Sequence, residues 1–331
     1  MPANPTPLNA PTAEDFRAWH RVQCAALAHD RPGEPVPSQA ALTARLTTAG
    51  AGSRMVLWLV RGPGEEAVAT ATLRLFEDPG RSHLAEVDVT VHPAHRRLGT
   101  GSRLLSTLTE AAAGAGCRSM VAEVMAGTPG EGFLATREFV PVLRLTWQLL
   151  TLEEVPDRIR KLPDVAHHGY RLAFWEGEVP GHLADSFARA HASMADMPTG
   201  DMDTGELDWD PERVRQAARV VAARGERLLT VAALSEADHS VAGFTELVLP
   251  ADRSPRAQQY GTAVLPVHRG HGLGLWVKSE MLRRVRDHFP SITHIQTDNA
   301  DDNRHMLAVN TALGFRPLRR TVEYQLRLAE G

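Results

Sequence analysis

The segment Arg96-Arg97-Leu98-Gly99-Thr100-Gly101 recurs as Arg269-Gly270-His271-Gly272-Leu273-Gly274, so an Arg-x-x-Gly-x-Gly loop occurs twice, 173 residues apart in a chain of 331. Each copy follows an apolar stretch that ends in Pro and His and leads into an Ala-, Leu- and Arg-rich pattern of helical period. The repeated unit is therefore strand, Gly-rich loop, helix. Backbone N–H groups of a tight Gly-containing turn, at the positive end of a helix, cradle a phosphate or pyrophosphate. One such loop is an ordinary strand-to-helix turn as often as not; two in the same context make a turn without a ligand the weaker reading.

A repeat at about half the chain length divides the sequence into two domains, each large enough for its own core. The expected boundaries are 1–151 and 169–331, with a linker over 152–168 that is charged and carries Pro156 and Pro163. A net charge of -4 with 23% charged residues lacks the basic excess of a nucleic-acid binder. No run of eighteen apolar residues occurs and the first residues lack the pattern of a secretory leader, so the expected location is cytoplasmic, without a membrane partner. The two cysteines, Cys24 and Cys117, are expected in different helices and suggest neither a disulfide nor a Zn site.

Periodicity places the elements in the same order twice. In the first half, Thr12 to Asp15 reads as a capping box before a helix with Phe16, Trp19, Val22 and Leu27, and a second helix follows at 38–48. Strands are expected at 54–61, 67–76 and 84–91, then the Gly loop, a helix over 102–115, a strand at 121–124, a short helix at 131–137 and a strand at 140–150. The second half repeats this, with strands at 170–175, 228–234, 241–249, 258–264, 292–297 and 321–328, and helices at 181–192, 211–223, from the loop to 288, and 302–313. Each half is an α+β unit with a mixed, mostly antiparallel sheet flanked by helices.

Val91-x-Pro93-x-x-Arg96-x-x-Gly99-x-Gly101 after a strand resembles the acyl-CoA-binding signature of the GNAT acyltransferase superfamily. The run from Thr297 to Phe315, with Asn303 and Asn310, is similar to a later motif of that family. The resemblance covers nearly the whole chain as two tandem copies, similar to mycothiol synthases and to tandem GNAT proteins of antibiotic gene clusters such as that for clavulanic acid. It implies a V-shaped opening between the splayed fourth and fifth strands of each domain, with the pantetheine of acetyl-CoA or another acyl-CoA lying there and its pyrophosphate on the Gly loop. The acyl group would pass directly to the amine of a small molecule. The CoA-binding residues so implied are Val91, Arg96, Arg97, Leu98, Gly99, Thr100, Gly101 and Ser102 in the first domain. In the second they are Val264, Arg269, Gly270, His271, Gly272, Leu273, Gly274, Asn303 and Asn310.

The transfer needs a group to take the amine proton. In the second domain Glu246 is the favoured candidate and Tyr260 the weaker one; in the first, Glu86 and Asp88 share one face of an alternating strand. All four also fit a plain solvated sheet face. The acid departs from the family pattern: the position that often holds Tyr is Asn310 in the second domain and Leu134 in the first. Asn310 is left to hydrogen-bond the CoA sulfur or pantetheine. Gly127 stands where Asn303 would recur, and Glu138-Phe139 replaces the Gly-Phe pair. The second domain, with both motifs, is therefore the expected seat of chemistry. No metal is expected, because the paired histidines His92/His95 and His268/His271 lack a recurring third ligand. A dinucleotide-binding oxidoreductase fails for want of the third glycine, and a Walker NTPase for want of Gly-Lys-[Ser/Thr]. The rival that survives is an acyl-CoA-binding protein with one or both domains non-catalytic.

Overall fold

The computed structural model describes residues 5–328. The first repeat runs α1 (Ala13–Asp30), α2 (Gln39–Thr47), β1 (Ser53–Arg61), β2 (Ala67–Phe76), β3 (Leu84–Val91), α3 (Thr100–Gly114), β4 (Ser119–Met125), α4 (Pro129–Ala135) and β5 (Val140–Thr151). A short helix α5 (Asp157–Arg160) follows. The second repeat runs β6 (Tyr170–Glu176), α6 (Ala184–Ala192), α7 (Pro211–Ala223), β7 (Arg227–Ser235), β8 (Val241–Leu249), β9 (Arg256–Val264), α8 (Leu273–His288), β10 (His294–Ala300), α9 (Arg304–Leu313) and β11 (Arg316–Arg327). The α+β architecture read from the sequence holds. Cys117 is a correction: α3 ends at Gly114, and the buried thiol lies in the turn before β4.

Local chemistry explains the helix starts. Thr12 accepts from the Asp15 N–H while the Asp15 carboxylate takes the Thr12 N–H, a reciprocal cap on α1. Ser38, Asp210 and Asn303 cap α2, α7 and α9 through side-chain oxygens. The helices α3 and α8, which open at the two Gly loops, carry no side-chain cap. Their first N–H groups, like those of α4 and α6, are left without a side-chain acceptor.

Packing divides the chain into two compact units that are not consecutive segments. Among the described residues, unit 1 comprises 5–143, 201–206 and 322–328, and unit 2 comprises 144–200 and 207–321. In unit 1 the sheet order is β1-β2-β3-β4 and then the last residues of β11. Gln325 of β11 anchors that closing strand by donating to Ser119 Oγ (2.7 Å) and accepting from the Asp203 N–H (2.9 Å). In unit 2 the order is β5-β10-β9-β8-β7-β6, with β5 and β10 antiparallel from Leu145↔Ala300 to Thr151↔His294. Each unit's sheet is thus closed by the final strand of the other repeat. The stretch 152–168, read as a linker, sends Leu152, Val155 and Ile159 into the unit 2 core. Its apolar residues have the spacing of a short helical turn rather than of a solvated connector.

Unit 1 packs α3, through Leu104, Leu105 and Leu108, onto Leu73, Ala85 and Val87 of the sheet, with Val322 and Tyr324 of β11 in the same cluster. In unit 2, α8 covers one sheet face through Leu273, Trp276, Val277 and Met281. The other face carries α6, with Phe187 against Phe244. Each fully buried leucine of these cores is worth about 1.5–3 kcal/mol.

Candidate functional site

A wedge is present in each sheet: in the second repeat between the fourth and fifth strands, as the resemblance implies, but in the first between the third and fourth. In unit 1, β3 and β4 pair in parallel only from Leu84↔Ser119 to Glu86↔Val121, although β3 continues to Val91 and β4 to Met125. In unit 2, β9 and β10 pair only from Arg256↔His294 to Gln258↔Gln296, while β9 continues to Val264 and β10 to Ala300. Beyond the last pair the two strands part, leaving backbone groups of both edges without ladder partners. An extended chain with amide groups, such as pantetheine, complements such an edge.

The strand on the loop side of each wedge runs directly into the repeated loop. In the first, Arg97 (φ 66°) and Gly99 (φ 80°) are left-handed; in the second, Gly270 (φ 85°) and Gly272 (φ 72°) take the equivalent places. Arg97 holds a conformation that glycine would adopt without penalty, at a cost of about 1 kcal/mol. The turn is therefore specified by the rest of the loop. Gly101 and Gly274 are not left-handed, and a Cβ on either would make only ordinary contacts, at 3.5 Å from Phe133 and 3.7 Å from Val264.

The motif arginines play the same part twice. Arg96 Nε donates to the Val91 carbonyl (3.1 Å), and its two terminal nitrogens grip Asp30 at 2.7 and 2.6 Å. Arg269 Nε donates to the Val264 carbonyl (3.1 Å) and a terminal nitrogen meets Asp196 at 3.0 Å. Arg96 ties its loop to the last residue of α1, and Arg269 ties its loop to the end of the short turn that follows α6. The Asp30 carboxyl is held below its usual range by the Arg96 hydrogen bonds. Ser102, expected at the pyrophosphate, accepts from Arg137 at 2.6 Å. Leu98 is exposed, Thr100 and Leu273 are buried, and Thr100 Oγ1 accepts from Arg103 at 3.5 Å.

The second loop has company that the first lacks. His268 Nδ1 is 3.0 Å from the Tyr170 hydroxyl, and His271 lies 5.6 Å from the Tyr170 ring. His167 stacks on Trp276 at 4.2 Å and would sit 3.6 Å from a Cβ on Gly272. An open pocket of about 300 Å³ lies alongside, lined by His167, His168, Tyr170, Glu236 and Trp276 among others.

The candidate bases separate sharply. Glu86 is engaged by Arg74 at 3.0 Å. Asp88, two residues past the last β3–β4 pair, keeps contact with solvent, while protein atoms crowding its other sides push its carboxyl above the usual range. The Thr90 hydroxyl at 3.3 Å opposes that shift. In unit 2 a β-bulge sets two residues of β9, Tyr260 and Gly261, opposite Glu246 alone. Bulges of this kind re-aim side chains beside active sites. Glu246 is 7% exposed, and its nearest ionisable partner is His191 Nε2 at 3.5 Å. Tyr260 is 40% exposed, and Met194 packs over Gly261.

Asn310 is a correction. It is fully buried, donating from Nδ2 to Gln148 (2.9 Å) and accepting at Oδ1 from Lys278 (2.8 Å), so it does not open onto the wedge. Burial lowers the Lys278 ammonium to about 7. Asn303 uses Oδ1 to cap α9 on the Met306 N–H. Sequence reasoning missed His191 and Lys278. Their signal was a titratable residue within an otherwise apolar helical stripe: His191 four after Phe187, and Lys278 beside Val277 and Met281. Among the described residues no cluster of three His, Cys, Asp or Glu side chains is arranged to hold a metal.

Comparison with known proteins agrees with this geometry. Residues 16–133 match the acetyltransferase (GNAT) family. No curated protein sequence matches. Among solved structures, the chain is similar to a tandem GNAT protein from the clavulanic acid biosynthesis pathway, solved without AcCoA. That match has 26% identity and a TM-score of 0.81 over 99% of each chain. A GCN5-related N-acetyltransferase from Sphaerobacter thermophilus matches at 18% identity and TM-score 0.74, covering 100% of this chain and 98% of its own. A glucosamine N-acetyltransferase region of a fungal multi-domain GH3 β-N-acetylglucosaminidase matches in fold, at 11% identity and TM-score 0.70, over 98% of this chain and 38% of that one. The chain has the tandem GNAT fold throughout, and its first half matches the acetyltransferase (GNAT) family.

Proposed function

We propose that the protein moves an acetyl or other short acyl group from CoA to the amine of a small molecule, in the manner of enzymes of secondary metabolism. The observation that carries this reading is the coincidence, in both units, of a strand wedge with an uncapped helix N-terminus at its mouth. The wedge suits pantetheine and the helix end suits pyrophosphate, because unsatisfied N–H groups and the helix dipole both favour an anion there. Neither function asks for a free arginine head, which is why Arg96 and Arg269 can be committed to carboxylates.

The chemistry is assigned to unit 2, where Glu246 faces the bulge beside the wedge and its carboxylate favours the departure of the amine proton there. The amine attacks the thioester carbonyl, the C–S bond breaks, and thiolate departs without a covalent enzyme intermediate. A second reading is favoured by Asp88, the one candidate acid that meets solvent past the wedge's last pair: transfer in unit 1, with unit 2 holding acyl-CoA alone. Free thiol released from acetyl-CoA across a panel of small amines tests transfer itself. An acceptor-dependent thiol signal is the expected result, and acetyl-CoA binding without turnover on any amine would leave a binding protein instead.

A further inference from the structure

We propose that His191 is the proton acceptor of the second unit, with Glu246 as its positioning residue and Trp209 as its cover. This rests on the acyl-transfer reading above.

His191 projects from α6 into the face of the sheet that α8 does not occupy. Its ring lies between two aromatic planes, Trp209 at 4.4 Å and 31° and Phe244 at 4.5 Å and 30°, with the edge of Phe187 at 4.6 Å. Nε2 is 3.5 Å from Glu246 Oε2, and both side chains are at most 10% exposed. Nδ1 is buried and has no partner. A phenylalanine would fill the same stack without burying two ring nitrogens, so packing alone does not account for an imidazole. With Nε2 protonated toward the carboxylate, Nδ1 presents a bare lone pair to an N–H donor.

Glu246 is held for this task from behind. Gln259 donates to the Glu246 carbonyl and to Thr245 Oγ1 (2.9 Å), and Thr245 Oγ1 meets Thr262 Oγ1 at 2.7 Å. The carboxylate stands opposite the bulge at Tyr260 and Gly261, on the strand next to the one that opens the wedge. A carboxylate aligning an imidazole for proton transfer is the arrangement that fixes tautomer and stabilises the imidazolium.

The step balances. The amine nitrogen bonds to the thioester carbon, its proton passes to His191 Nδ1, and the C–S electron pair leaves on sulfur. The imidazolium, stabilised by Glu246, then returns the proton to the thiolate and is neutral again. This supplies the acid that the buried Asn310 does not. Trp209 lies over the face of the ring and helps to hold its plane.

Two measurements decide the matter. His191→Phe keeps the aromatic stack, and with an amine that supports thiol release its kcat is expected to fall about 100- to 10,000-fold. Acetyl-CoA binding and thermal stability are expected to stay as in the wild type. Glu246→Gln should lower kcat with little change in KM for acetyl-CoA, since it disturbs only the alignment of the ring. Wild-type turnover in His191→Phe would make His191 a packing residue and overturn the proposal. The second measurement needs no acceptor: ¹⁵N NMR of the His191 ring, assigned by its loss in His191→Phe, should show the neutral ring with Nε2 protonated and Nδ1 bare. The opposite tautomer would overturn the proposal equally. Failure of acetyl-CoA to bind at all would refute the acyl-transfer reading, which neither the NMR result nor the packing test addresses.

Discussion

Lys278 provides the sharpest quantitative test of the unit 2 interior. It is 2% exposed on the buried stripe of α8, its Nζ donates to Asn310 Oδ1 at 2.8 Å, and no carboxylate among the described residues pairs with it. Desolvation lowers its pKa from 10.5 to about 7. Between those values the unfolded chain binds the proton that the folded one releases. Stability therefore rises with pH through the window from about 7 to 10.5, and the full penalty for burying the ammonium applies below it. A shift of this size corresponds to roughly 5 kcal/mol at low pH, of which about 3 kcal/mol is relieved between pH 6 and pH 9. Lys278→Met keeps the length of the side chain and removes the charge, leaving Asn310 Oδ1 without its donor at a cost of about 1–3 kcal/mol. The variant should be more stable than the wild type at pH 6 by about 2–4 kcal/mol, and the gap should shrink by about 3 kcal/mol by pH 9. Urea unfolding of both proteins at the two pH values measures this, since the other titrating groups cancel in the difference. Parallel stability curves for the two proteins would refute the reasoning, by showing that the ammonium is not desolvated as its burial requires.

Gly101→Asp and Gly274→Asp introduce carboxylates at the helix ends where a Cβ makes only ordinary contacts, so each should remove acyl-CoA from its own loop while leaving the fold intact. Comparing turnover in the two variants identifies the catalytic unit, and activity surviving Gly274→Asp would move chemistry to unit 1. Asp30→Asn releases Arg96 from its bidentate grip; the pair is about one-third exposed, so a stability loss of only about 0.2–1 kcal/mol is expected, with weaker binding at the first loop as the main effect in calorimetry. Asp88 has a folded pKa above its unfolded value, so it stabilises the fold at low pH and loses that contribution as pH rises through its raised range. Asp88→Asn should flatten the dependence of thermal midpoint on pH in the acid range, and an unchanged slope would count against the raised carboxyl.

Legibility in the sequence followed the range of the interactions concerned. Thr12 to Asp15, the alternation of β2 and β3, and the glycines of both loops act within a few residues, and their elements lie where periodicity puts them. The wedge was legible only through resemblance, since no pattern within β3 or β9 records where pairing with the next strand stops. Exchange of the closing strands was not legible. The pattern of β11 suits a half-buried strand in either unit, and the choice is made by distant partners such as Ser119 and Asp203 acting on Gln325. Motif arithmetic also misdirected where a side chain had a second use. Asn310 occupies the family's acid position, but the lysine one helix away, an unusual residue on an apolar stripe, draws it into the core. Glu246 was favoured for its strand, yet the imidazole that gives it a chemical role comes from α6, which carries no motif at all.

The central claim is that each Gly loop receives acyl-CoA and that one of the two transfers its acyl group. Native mass spectrometry of the intact chain with acetyl-CoA, alongside the Gly101→Asp and Gly274→Asp variants, tests it most directly. Two bound acetyl-CoA molecules per wild-type chain and one in each variant are predicted. No adduct on the wild-type chain at saturating acetyl-CoA, or a count unchanged by both substitutions, would contradict it.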